Sequence, residues 1–155
     1  MRDDARRKVP PLSFAHVSQG ILRSAYPMPV NFSFLETLQL RTIVCLSAGE
    51  EMQVANMAWA DEHGVEIYHF RMPVCKEPFV ENDEECIRAA LQVVLSEAHQ
   101  PVLCHSDKGK HRVGVLIGCL RKTQKWSLAS IFNEYDRFSG GKGEADLEFI
   151  ESFIP

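Results

Sequence analysis

The fold is decided by residues 101–120, which read PVLCHSDKGKHRVGVLIGCL. Residues 101–105 form a short apolar run with β-branched and sulfur side chains, a composition that predicts a buried strand. From Val113 onward the sequence is again apolar, over a length typical of a buried helix. A charged loop lies between them, so a strand turns tightly into a helix. In α/β sheets, ligands bind at this kind of junction, where a strand ends.

Short strand candidates alternate with helical patterns along the rest of the chain. We predict strands at residues 20–24, 41–46, 65–72 and 101–105, and helices at 31–40, 50–63, 83–99, 112–125, 128–138 and 145–153. Asn31 and either Asn82 or Asp83 are candidate N-cap residues. The alternation predicts one α/β domain whose central, mostly parallel sheet of four to five strands is flanked by helices. We expect residues 1–9 to be a flexible lead-in and residues 10–155 to form the domain.

Composition and charge exclude several classes of protein. A chain of 155 residues with 45% hydrophobic and 25% charged residues is typical of one soluble globular domain. Its net charge of −4 provides no basic field, which argues against nucleic acid or an anionic membrane as partner. No apolar run approaches the roughly 18 residues of a membrane helix. The five cysteines lack a CxxC pair, which predicts reduced thiols in a cytoplasmic protein.

The loop after residue 105 has the physical properties of an anion site. A tight turn into a helix aims backbone N–H groups and the positive helix end at one point, and Gly109 lets the backbone curl closely. Three bases against one carboxylate give the loop a formal charge of +2, from Asp107, Lys108, Lys110 and Arg112. His111 can add a further positive charge. The planar fork of Arg112 can hold two oxygens of one phosphoryl group.

A nucleotide-binding P-loop does not fit this sequence. The pattern GxxxxGK[ST] needs a glycine where the chain has Cys104, and a magnesium-binding hydroxyl where it has His111. The phosphate loop must therefore be of another kind.

The loop resembles the signature of a phosphatase superfamily. His105-Ser106, five residues and then Arg112-Val113-Gly114 resemble the HCx5R[ST]G signature of cysteine-dependent tyrosine and dual-specificity phosphatases. The KGKHR segment more narrowly resembles the plant and fungal atypical dual-specificity phosphatases, which include the fungal oxidant-induced cell-cycle arrest (Oca) proteins. Further matches to that branch are ILRS at 21–24, NFSFL at 31–35, KEPFV at 76–80 and IFNEY at 131–135.

This resemblance implies a dual-specificity-phosphatase-like fold and hydrolysis without a metal or cofactor. In the family, the loop cysteine attacks phosphorus, a phosphocysteine forms, and water releases phosphate. The implied substrates are inositol pyrophosphates or phosphotyrosine-type phosphoproteins, and related Oca-type chains are implied partners. The implied catalytic positions are Ser106, in the place of the nucleophile, and Arg112. The implied substrate-binding residues are Asp107, Lys108, Gly109, Lys110, His111 and Lys76.

Ser106 is the decisive departure from the family pattern. A thiol of pKa about 8.5 loses its proton readily in a positive loop, whereas a serine hydroxyl needs an adjacent base. Cys104 cannot replace it, because its strand position directs it into the core. We therefore predict phosphate binding without efficient turnover. Ser106 is either an engineered Cys-to-Ser trap or the natural residue of a pseudophosphatase. Val113, where the family has Thr or Ser, favours the natural origin.

The remaining charged and aromatic residues have more than one interpretation. The candidates for the general acid are Glu77, Glu81, Asp83 and Asp107, although for Glu81 and Asp83 we favour helix capping and interaction with the helix dipole. We expect Trp59 and Trp126 to pack in or beside the core. We expect three basic side chains near the end of the predicted helix 112–125 to form a solvent-exposed face: Arg121, Lys122 and Lys125. The spacing of His63, His69 and His99 in the sequence is not the spacing typical of metal ligands.

Overall fold

The computed structural model of the chain describes residues 7–49, 51–72 and 83–155. Its five strands are β1 (Ala15–Ser18), β2 (Ile21–Ser24), β3 (Thr42–Leu46), β4 (Glu66–His69) and β5 (Val102–Ser106). They form one sheet in the order β1-β2-β5-β3-β4. Only β1 runs antiparallel to its neighbour, and the other pairings are parallel. The predicted α/β class with a mostly parallel sheet is confirmed.

Six α-helices accompany the sheet in the described residues: α1 (Phe32–Thr37), α2 (Val54–Glu62), α3 (Glu84–Leu95), α4 (Arg112–Thr123), α5 (Leu128–Ser139) and α6 (Glu144–Ser152). Short 3-10 turns lie at Pro29–Asn31 and Glu97–His99. The longest of these helices has 12 residues. A bilayer span needs about 20, so none of the helices in the described part of the chain could cross a membrane.

The sheet has a hydrophobic core on each face. Val102 and Cys104 of β5 belong to the larger core, which includes the buried residues of α4, whereas Leu103 faces the smaller core with α1 and α2. Every residue of α4 from Val113 to Arg121 is buried. Burying each large aliphatic side chain contributes roughly 1.5–3 kcal/mol, so both elements that flank the charged loop are firmly placed.

Element boundaries differ from the predictions where tertiary contacts decide them. The edge strand β1 was not predicted, because AHVS is short and half exposed and is defined by its pairing with β2. The strand predicted at 65–72 is regular only over β4. Its continuation still donates hydrogen bonds to β3 and the residue beyond it, from Phe70 N to Cys45 O (2.8 Å) and from Met72 N to Ser47 O (3.0 Å).

The two predicted helix caps have different outcomes. Asp83 caps α3, since its carboxylate accepts from Cys86 N at 3.1 Å. Asn31 does not cap α1 with its side chain. That side chain instead accepts from Met28 N (2.8 Å) and donates to the carbonyl oxygens of Val9 and Pro10. Residues 1–6 of the predicted lead-in, as well as Asn82, lie outside the described residues.

The prediction of a solvated face at the end of α4 is wrong for Arg121. Its guanidinium is buried and donates to both carboxylate oxygens of Glu134 (3.0 and 2.8 Å) and to Val17 O (2.8 Å). It also lies over the ring of Trp126, 3.9 Å from the centroid. Lys122 donates to Phe153 O at 2.7 Å. The helix end is covered because β1 and α5 pack on it, a contact that its own sequence does not reveal.

Candidate active site

The loop between β5 and α4 curls back onto Ser106. This residue ends β5 and is only 2% exposed. The backbone N–H of Gly109 donates a hydrogen bond to Ser106 Oγ at 3.0 Å. The Ser106 hydroxyl oxygen therefore lies inside the turn, facing a loop amide that would equally stabilise an anion there.

Gly109 is required by the way this loop packs. Its φ of +74° lies in the left-handed region, and a Cβ there would be 2.6 Å from the backbone N of Ala25 and 2.8 Å from the carbonyl carbon of Ser24. Tyr26 N also donates to Asp107 O at 3.3 Å. The loop backbone thus rests directly on the segment that follows β2, which leaves no room for a side chain.

The buried side chain of Arg23 on β2 contacts the backbone of the loop. Its guanidinium donates to Gly109 O at 3.2 Å and stacks on the ring of Phe138, 3.8 Å from the centroid. Burial lowers the pKa of Arg23 to about 10, so it stays charged at neutral pH. It places a buried positive charge next to the backbone of the loop between β5 and α4. The role of Arg23 is not predicted from the sequence, although a charged residue within a short strand is a signal that could have pointed to it.

Arg112 is the first residue of α4, and two contacts orient its side chain. Its Nε donates to Met72 O at 3.1 Å, and one terminal nitrogen donates to Asp107 Oδ2 at 3.3 Å. Asp107, a candidate general acid, is thereby occupied as a partner of Arg112. The Arg112–Asp107 ion pair is partly exposed and contributes at most about 1 kcal/mol to the free energy of unfolding. A bound ligand can therefore readily replace Asp107 as the partner of Arg112. Lys108 and Lys110 extend from the loop into solvent.

His111 connects the loop to the last two helices. Its Nδ1 lies 3.0 Å from Tyr135 Oη on α5 and 3.5 Å from Asp146 Oδ2 on α6. Sequence reasoning missed both partners. Tyr135 belonged to the quoted IFNEY match, but nothing in the sequence connected it to the loop.

The two residues that precede Ser106 in β5, His105 and Cys104, cannot activate its hydroxyl. His105 is fully buried, its Nδ1 lies 3.4 Å from the carbonyl oxygen of Ser106 and not from Oγ, and burial lowers its pKa to about 4. Cys104 points into the core as predicted, where burial raises the pKa of its thiol to about 12. The arrangement can hold a phosphate group, but the contacts of its serine include no base in the described part of the chain.

Some predicted residues are not part of this group. Lys76, Glu77 and Glu81 lie outside the described residues, and Asp83 is engaged as the cap of α3. Within residues 7–49, 51–72 and 83–155, no cluster of three or more His, Cys, Asp or Glu side chains could hold a metal ion.

Comparison with known proteins gives consistent matches over nearly the whole chain. The family described as "Tyrosine phosphatase family" matches residues 8–154. Inositol diphosphatase DSP4 of Arabidopsis thaliana is 48% identical over 146 residues, which are 94% of this chain and 73% of that protein. Inositol diphosphatase SIW14 of Saccharomyces cerevisiae is 45% identical over 94% of this chain, which spans about half (52%) of that protein. The solved structure of the Siw14 catalytic core superposes with a TM-score of 0.89 at 44% identity, covering 96% of this chain and 88% of that one.

Proposed function

The chain belongs to the tyrosine phosphatase family, and from this premise we propose that it binds inositol pyrophosphates in the loop of residues 106–112 without efficient turnover. The observation that carries the proposal is the position of Ser106 Oγ, enclosed by the loop and hydrogen-bonded to the Gly109 amide. The relatives named inositol diphosphatases support the substrate class. Phosphotyrosine-type phosphoproteins are the competing substrate class.

The charge distribution around the loop supports a ligand with more than one phosphate. Arg112 and the backbone amides suffice for a single phosphoryl group. Lys108 and Lys110 are additional exposed cations beside it, and buried Arg23 adds a positive charge beneath the loop. A diphosphate group would use this excess of positive charge, whereas a phosphomonoester would leave much of it unused.

Poor turnover follows from the chemistry of the hydroxyl. In a Ser106→Cys variant, the loop amide and the positive end of α4 would lower the pKa of the thiol. The thiolate would attack the terminal phosphorus, forming an S–P bond while the P–O bond to the phosphate that remains on the inositol breaks. Water would then hydrolyse the phosphocysteine and release inorganic phosphate. Ser106 lacks the base that its hydroxyl would need for the first step.

Calorimetric titration with an inositol pyrophosphate tests binding. We expect the parent chain to bind and Arg112→Ala to lose most of the affinity. Arg41→Ala is the matched control, because Arg41 is an exposed arginine just before β3, at the amino-terminal ends of the parallel strands and so at the opposite end of the sheet from the loop. Absence of binding by the parent chain, or an equal loss in both variants, would contradict the proposal.

Phosphate release by Ser106→Cys tests the family reaction. We expect release from an inositol pyrophosphate far above that of the parent chain, and less from a phosphotyrosine peptide. Greater release from the peptide would assign the phosphoprotein class instead. A variant that binds but releases nothing from either substrate would refute the role of position 106 as the nucleophile.

A second candidate function is that of a natural pseudophosphatase, a phospho-ligand sensor or a subunit of an Oca-type complex. The specific observation in its favour is Val113, which is fully buried and supplies no hydroxyl next to the loop. If both positions limit catalysis, Ser106→Cys with Val113→Thr should release phosphate faster than Ser106→Cys alone. Size measurement of the protein purified from its own cells would show whether it is part of a larger assembly.

A further inference from the structure

Three polar side chains form a hydrogen-bonded group behind the phosphate loop. Tyr135 donates its hydroxyl hydrogen to Asp146 Oδ2, and His111 Nδ1 lies 3.0 Å from Tyr135 Oη. Tyr135 and Asp146 are buried, at 2% and 8% exposure, while the side chain of His111 is half exposed. The group joins the last residue of the loop to both C-terminal helices.

The hydrogen-bond directions in this group determine one tautomer of His111. A tyrosine hydroxyl has a single hydrogen, and Tyr135 gives it to Asp146. Its oxygen can then only accept, so the hydrogen between Tyr135 and His111 must reside on Nδ1 of the imidazole. Burial, followed by the Asp146 carboxylate, raises the pKa of Tyr135, so the phenol keeps its proton. In the described part of the chain, Nε2 of His111 has no hydrogen-bond partner.

The Tyr135 side chain occupies space that is left by the missing side chains of two glycines. A Cβ on Gly114, the third residue of α4, would lie 3.0 Å from the Tyr135 ring. A Cβ on Gly143, just before α6, would overlap its hydroxyl oxygen. The ring fits closely between α4 and the start of α6, so its hydroxyl has little freedom to turn to another partner.

We propose that Tyr135 and Asp146 are positioning residues of the phosphate loop, which fix the His111 imidazole with its hydrogen on Nδ1 and thereby hold the end of the loop next to Arg112. The inference rests on the proposed function only in that the loop binds phosphate groups. Neither residue needs to touch the ligand. The hydroxyl of Tyr135 acts through His111, and α6 becomes necessary for ligand affinity because it supplies Asp146.

Nitrogen-15 NMR of the imidazoles tests the tautomer in the unliganded parent chain, without any substitution. We expect His111 to carry hydrogen on Nδ1 at a pH where the ring is neutral. In Asp146→Asn the amide can donate to Tyr135 Oη, which frees the tyrosine hydrogen for His111 Nδ1. The His111 tautomer should then shift toward hydrogen on Nε2. A merely structural role for the group would not produce this reversal.

Calorimetric titration with inorganic pyrophosphate tests the effect on the loop. We expect Tyr135→Phe to weaken binding about tenfold, equivalent to roughly 1.4 kcal/mol. Tyr68→Phe is the matched control, because Tyr68 makes the same kind of contact, 3.3 Å from His99 Nε2, on β4. We expect the Tyr68→Phe variant to bind inorganic pyrophosphate with the affinity of the parent chain.

Several results would overturn the inference. The first is a parent chain with His111 hydrogen mainly on Nε2, and the second is a folded Tyr135→Phe with unchanged tautomer and unchanged affinity. If Tyr135→Phe does not fold, the tautomers of the parent chain and of Asp146→Asn still decide the matter. Failure of the proposed function would look different: the parent chain would bind no phosphate probe, while the tautomer result would stand by itself.

Discussion

Replacing Gly109 with alanine tests whether the close approach of the loop to the β2 segment is what shapes the site. Alanine at a φ of +74° costs about 1–2 kcal/mol from backbone strain alone. The new Cβ would also lie 2.6 Å from Ala25 N, and relieving such an overlap with rigid backbone costs roughly a further 1–3 kcal/mol. We therefore expect the free energy of unfolding to fall by about 2–5 kcal/mol.

Gly140→Ala is the matched control for the strain. Gly140 follows α5 at a φ of +76°, and no heavy atom lies within 4 Å of the position its Cβ would take. Urea unfolding should show a loss of about 1–2 kcal/mol for Gly140→Ala, so the difference between the two variants isolates the cost of the overlap.

The same two variants should separate ligand affinity from stability. In Gly109→Ala the loop has to move away from Ala25. This movement breaks the hydrogen bond from the backbone N–H of residue 109 to Ser106 Oγ and the hydrogen bond from Arg23 to the carbonyl oxygen of residue 109. Phosphate affinity measured by calorimetry should therefore fall at least about tenfold, which corresponds to the ~1.4 kcal/mol of one displaced hydrogen bond. Gly140→Ala should bind like the parent chain. Equal destabilisation of both variants, with affinity retained in Gly109→Ala, would refute the reasoning.

Three further predictions concern buried polar groups. Because burial lowers the pKa of His105 to about 4, the unfolded chain takes up its proton first, and stability should fall by up to roughly 3 kcal/mol as the pH drops from about 6.5 to 4. His105→Asn should remove this slope from urea unfolding measured across that range, and an unchanged slope would assign it to other groups. Glu134→Gln should lower the free energy of unfolding by about 3 kcal/mol in thermal melts because it leaves Arg121 buried without its carboxylate; a loss below 1 kcal/mol would contradict this. Arg23→Met should lower the free energy of unfolding by about 1–3 kcal/mol, because the buried Gly109 carbonyl loses its donor, and should weaken phosphate binding about tenfold in calorimetry; unchanged binding would remove Arg23 from the support of the loop.

The α/β class and the position of the loop could be predicted because their signals are local. Residues 102–104 of β5 and residues 113–120 of α4 are apolar runs, and the signal for each element lies within one continuous segment. The edge strand β1 could not be predicted, since its residues are half exposed and only its pairing with β2 defines it. The solvated face expected at Arg121 was wrong for a similar reason, because its partner Glu134 lies on another helix.

Local sequence is sufficient to predict that a positively charged turn joins a buried strand to a buried helix, and that a serine hydroxyl lies where the strand ends. Both are properties of one short contiguous segment, from Ser106 to Arg112. The contacts that hold that turn in place depend on packing between distant parts of the chain. Arg23 reaches Gly109 across 86 positions of the chain, and Tyr135 reaches His111 across 24. Such contacts form when elements that are distant in the chain pack together, and no local pattern of residues specifies which side chains the packing brings together.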